Sequence, residues 1–90
     1  MAYNTVTVSD TATEIVPANT KRRNVTLSNV DTSVTVYIGP DSSITTSNAI
    51  PLYAFQTRDD KFISEGYQGP IYGIVASGTV DVRYWEVENV

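Results

Sequence analysis

The chain contains no histidine and no cysteine. That excludes Ser–His and Cys–His nucleophile pairs, His/Cys zinc sites, thiol redox chemistry and haem ligation through either residue. Basic charge is scarce: six Lys plus Arg against ten Asp plus Glu give a net charge of −4. Counterion release on nucleic acid needs clustered Lys and Arg, so a nucleic-acid partner is not expected. No run approaches the 18 or more apolar residues of a membrane-spanning helix. The opening MAYNTVTVSD shows neither a basic stretch nor an apolar one, so no secretory signal is read there. Leucine, methionine and lysine, which favour helices, number only two, one and two. Nothing in this composition asks for a cofactor, and a catalytic role is not expected.

What the chain has in abundance is β-branched residues. Val, Thr and Ile supply 31 of its 90 positions. Their stiff side chains suit a pleated surface. Alternation then marks the strands. Val6 and Val8 share a face in residues 4–9, and Thr13 to Val16 form a short strand stopped by Pro17. Residues 23–30 place Val25 and Leu27 inward, with Asn24, Thr26 and Ser28 outward. Residues 34–38 carry Val34, Val36 and Ile38 on one face, and the two runs read as a hairpin across Asp31-Thr32-Ser33. A short strand is expected around Ile44-Thr45, then an irregular edge strand over 49–56 because of Pro51. Arg58 to Lys61 reads as a charged loop, Phe62-Ile63 as a short strand and 71–76 as a buried one. The last strand, 79–88, sets Val80, Val82 and Tyr84 against Asp81, Arg83, Trp85 and Val87.

About eight short strands with turns every 8–12 residues predict an all-β fold. The expected form is a small antiparallel β-sandwich, jelly-roll-like, or a small barrel. It is one domain over 1–90, with 1–10 as a possible N-terminal arm and the first strand, 2–9, peripheral or exchanged. A chain of this mass should keep roughly 5,200 Å² of surface and bury about 64% of its unfolded area. That is a thin core with no disulfide, and it favours association with copies of itself or a partner.

Three groups stand out as contact candidates. Lys21, Arg22 and Arg23 hold half of the cations, and read either as an anchor for an acidic partner or as charges guarding a strand edge. Tyr53 and Phe55 beside Pro51 read as a protein-facing edge. Trp85 stands opposite the apolar set of its strand and reads as an exposed contact residue or as a cap on the core. Asp59-Asp60 has the acid pairing of a calcium or catalytic site. Arg58 and Lys61 flank it, however, and make a self-neutralised loop the simpler reading. Gly73 in an apolar strand marks a bulge or the close approach of another backbone.

The set Ile15-Val16-Pro17-Ala18-Asn19, Arg22-Arg23 and Val25-Thr26-Leu27-Ser28-Asn29 resembles a small family of tailed-bacteriophage and prophage virion proteins. So do Val36-Tyr37-Ile38-Gly39, Thr45-Thr46-Ser47-Asn48-Ala49-Ile50, Gly69-Pro70-Ile71-Tyr72-Gly73-Ile74 and Ser77-Gly78-Thr79-Val80-Asp81-Val82-Arg83. The likeness runs from about residue 13 to residue 86. Ala49-Ile50-Pro51 stands where members often carry a Gly-rich turn. The resemblance implies a compact β-sandwich that binds the outside of a capsid as a decoration, or cement, protein, commonly a trimer. Its partners would be the major capsid protein and itself, and its place the virion after synthesis in the host cytoplasm. Related domains in tail and fibre proteins imply an alternative: a module that holds host-surface carbohydrate.

Overall fold

Two four-stranded antiparallel sheets enclose a core made almost wholly of Val, Ile and Leu. The computed structural model describes residues 2–59 and 67–88. Eight strands occur in this part: β1 (Ala2–Val8), β2 (Thr13–Val16), β3 (Arg22–Asn29), β4 (Val36–Gly39), β5 (Ile50–Leu52), β6 (Thr57–Asp59), β7 (Ile71–Ile74) and β8 (Val80–Glu88). The first sheet has the order β1-β8-β3-β6 and the second β2-β7-β4-β5. That pair of orders is a jelly roll, two interleaved Greek keys. The β-sandwich expected from the strand spacing is therefore the fold.

Alternation decides what is buried. Val8, Val25, Leu27, Val80 and Val82 line the inside of the first sheet, and Val36, Ile38, Leu52 and Ile71 the inside of the second. Val25 and Leu27 face inward as their alternation assigned, and Val80 and Val82 share one face as expected; β7, read only as a buried strand, alternates between buried and half-buried positions. The folded surface is 5,166 Å², close to that expected from chain mass. No unusual compaction compensates for the short length.

The pairing differs from expectation at four places. First, β3 and β4 are not a hairpin. β3 pairs with β8 and β6, and β4 with β7 and β5. The connection crosses between sheets, and side chains satisfy the backbone on the way. Asn29 is fully buried and donates through Nδ2 to the carbonyls of Val34 (2.8 Å) and Leu52 (3.0 Å). Asp31 Oδ2 accepts from the amides of Ser33 (2.9 Å) and Val34 (2.8 Å). Turn residues signal that the chain turns, not which sheet it enters next.

Second, residues 44–45 are not a strand. Asn48 Oδ1 accepts from the Thr45 amide at 2.7 Å, and the Thr45 carbonyl accepts from Ala49 at 3.2 Å, so the backbone is spent on turns. Ile44 is buried outside the main core, folded over Gly39 on the outer side of the second sheet. A Cβ at Gly39 would collide with it, which is why only glycine fits there. Third, the strand expected over 49–56 stops at Leu52, and Arg58 and Asp59, read as loop, belong to β6. Phe62-Ile63, Asp60 and Lys61 lie outside the described residues. Fourth, Gly73 admits side chains, not a backbone. A Cβ there would sit 2.6 Å from Ile15 Cδ1 and 3.3 Å from Val36 Cγ1. The bulge lies in the partner strand β2, between Glu14 and Val16.

Candidate protein-binding surfaces

The Lys21-Arg22-Arg23 corner splits in the fold. Lys21 and Arg23 are exposed, but Arg22 is 1% exposed. Its Nε donates to Glu86 Oε2 at 2.6 Å. Nη1 donates to the carbonyls of Tyr67 (3.0 Å) and Gly69 (2.9 Å), and Nη2 to that of Pro17 (2.7 Å). Four of the guanidinium's five donors are thus used internally. Asn19 completes the cluster: its Nδ2 donates to Glu86 Oε1 (3.2 Å) and Glu88 Oε2 (2.9 Å). The Asn19 hydrogen bond is the main reason the Glu88 carboxyl is held below its ordinary value. Tyr67 donates its hydroxyl to the Pro70 carbonyl at 2.6 Å, and burial pushes that hydroxyl's pKa up. Arg22 is therefore corrected from a contact candidate to the internal tie between the 17–21 and 67–70 loops.

A bulge explains why alternation misplaced it. In register with β8, Arg22 faces Glu88 and Asn24 faces Val87, which leaves Arg23 as the extra residue. A strict period of two would turn Arg23 inward with Val25 and Leu27. The bulge turns Arg22 inward instead. One signal was present in the sequence: Glu86 continues the inward series Val80, Val82, Tyr84. A carboxylate on a buried row requires a cation or donors beside it.

Tyr53 and Phe55 stand at the opposite end of the sandwich. Residues 53–56 form a turn closed by a 3.0 Å bond from the Gln56 amide to the Tyr53 carbonyl. Phe55, third in the turn, has φ of 58°, where a turn of this hand normally takes Gly or Asn. Its amide donates to the Asp31 carbonyl at 3.2 Å, and Gln56 Oε1 accepts from the Tyr53 amide at 2.9 Å. The ring is nevertheless 69% exposed, and Tyr53 is exposed beside it. The neighbouring loops there, 9–12, 30–35 and 75–79, are mostly small and polar. Asp31 within them is held below its ordinary pKa by the amides of Ser33 and Val34.

Trp85 is 54% exposed on the outer face of the first sheet, so it does not cap the core. Its neighbour across the strands is Tyr3 on one side and Thr26 on the other. A groove of about 340 Å³ lined by Tyr3, Asn4, Thr5, Arg83 and Tyr84 lies beside the pair. The fold thus separates the candidates. Trp85 and the Lys21–Arg23 corner lie toward one end, Tyr53 and Phe55 at the other. Tyr3, as exposed as any of these, was missed although alternation marks it: a period of two places it with Thr5 and Thr7, on the face opposite Val6 and Val8.

Among the described residues no three His, Cys, Asp or Glu side chains are grouped to hold a metal ion. No family model, curated protein or solved structure matches this chain.

Proposed function

We propose that the chain is a non-enzymatic virion protein of a tailed bacteriophage that binds the outer capsid surface as a homo-oligomer and stabilises the shell. The observation that supports this most is the Tyr53–Phe55 turn. A bulky residue in the left-handed region costs of order 1–3 kcal/mol and persists where surrounding bonds over-determine it. Such strain serves no packing purpose at a ring left in solvent. It does serve to present two aromatic side chains to another protein, and such residues dominate binding hot spots. The jelly roll recurs in capsid proteins, an argument by analogy only. The sequence resemblance points the same way.

The test is addition of the purified chain to undecorated capsids of the parent phage. Saturable binding with a fixed copy number is expected, together with slower thermal release of the packaged DNA. The double substitution Tyr53→Ser, Phe55→Ser should weaken binding at least tenfold while leaving the fold intact. Absence of saturable binding by the unmodified chain overturns the reading.

A second reading rests on the Tyr3–Trp85 pair, which offers flat aromatic faces beside Thr5, Thr26 and Arg83, a setting suited to stacking on a sugar ring. Saturable glycan binding lost on Trp85→Ala, without any capsid binding, would favour a carbohydrate-holding module instead.

A further inference from the structure

The four edge strands of the two sheets differ in how they are guarded. A free edge offers unpaired N–H and C=O groups to any other strand, and proteins blunt edges with shortness, charge, proline or bulges. β6 has three residues, two of them Arg58 and Asp59. β5 also has three, with Pro51 at the centre. β2 has four, carries Glu14, is bulged, and runs into Pro17. β1 has none of these devices. Its seven residues, AYNTVTV, include no charge, proline or glycine, and they pair with β8 in unbroken register from Ala2 to Val8. Among the described residues, no strand pairs with the other side of β1.

We propose that the free edge of β1 is an interface for a second copy of this chain, joined antiparallel through β1 of the partner about a twofold axis at Thr5. The two first sheets would then form one continuous sheet of eight strands.

Three features favour a second copy as the occupant. The strand is uncharged, so no like charges meet when it pairs with itself, even though each copy is acidic overall. The register centred on Thr5 preserves the faces: Tyr3 meets the partner's Thr7, and Thr5 meets the partner's Thr5, a favoured cross-strand pair. The contact also gives Tyr3, 81% exposed and flanked on one side only by Trp85, a neighbour on its open side.

The strip is about 24 Å long. By itself it falls short of the roughly 1,600 Å² of a standard interface, so pairing is weak and rises with concentration. On a lattice of binding sites that weakness suffices, because neighbours are held at high effective concentration.

The inference rests on the homo-oligomer part of the proposed function and is tested apart from capsid binding. In sedimentation equilibrium the unmodified chain should rise from 9.9 kDa toward twice that mass as concentration increases. Thr5→Lys, at an exposed position, should weaken association at least tenfold with unchanged circular dichroism and melting. An equimolar mixture of Thr5→Lys and Thr5→Glu should associate again, because the two substituted residues face each other. Should Thr5→Lys disturb the fold, Tyr3→Lys replaces it. A monomer persisting to millimolar concentration, a trimer indifferent to Thr5→Lys, or a mixture that stays monomeric each overturns the inference. A monomeric Thr5→Lys chain supports this contact, and whether that chain still binds capsids tests the decoration reading separately.

Discussion

At one end of the sandwich Arg22 is buried and bonded to a carboxylate and three carbonyls; at the other, Phe55 stands in solvent in a backbone conformation that bulky residues avoid. Both ends face the same difficulty, since loops crossing between two sheets leave backbone groups without ladder partners. The first end solves it with one cation that gathers carbonyls from 17, 67 and 69 and is neutralised by Glu86. The second solves it with Asn29, Asp31 and Gln56, small polar side chains that hold local turns. The charged tie takes Arg22 out of reach of a partner. A set of local turns leaves the aromatic tips free.

The largest effect is expected at Arg22. Arg22→Ala leaves Glu86 buried without its cation and should destabilise the fold by about 3–5 kcal/mol, read as a lowered urea midpoint with unchanged slope. Adding Glu86→Leu to Arg22→Met should recover only part of this, because the carbonyls of Pro17, Tyr67 and Gly69 still lose their donor. Full recovery would mean that the ion pair alone, not the gathering of loops, holds this end.

Asn29→Ala tests the other end. It removes two buried hydrogen bonds and should cost about 1–3 kcal/mol by denaturant unfolding. A loss as large as that of Arg22→Ala would erase the contrast between the ends.

Phe55→Gly should change stability by less than about 1 kcal/mol, and in the stabilising direction if relief of the left-handed strain exceeds the entropy glycine adds to the unfolded chain. Under the proposed decoration role, capsid binding should fall at the same time, so the turn would trade stability for contact. A clear loss of stability would make Phe55 a packing residue.

The smallest effect concerns Asp31. Its folded pKa lies below the ordinary 3.8, so its contribution is present above that value and is lost as pH falls through the folded one. Asp31→Asn should lower stability at neutral pH and flatten the acid limb below about pH 4. An unchanged acid limb would show that the amides of Ser33 and Val34 do not favour the ionised form.

The strands were legible because a sheet with one buried face needs alternation, and Val25, Leu27, Val80 and Val82 supply it without interruption. The exposed Tyr53, Phe55 and Trp85 were legible as candidates for the same reason, each being an aromatic out of step with its apolar neighbours or beside a proline. Arg22 was not. One extra residue at Arg23 inverts the parity of everything before it, and a bulge leaves no mark in composition. The hairpin expected for β3 and β4 failed for a related reason: Asp31-Thr32-Ser33 holds a turn equally well within a sheet or between two.

An all-β sandwich, the inward row of Val25 and Leu27 and the lack of His and Cys chemistry follow from residue type and a period of two. Which strands are neighbours, that Arg22 is internal and that β1 is the one unguarded edge of substantial length among the described strands emerge only in the folded chain. Those are matters of pairing between residues distant in the chain, and pairing is set by how two sheets close over a common core.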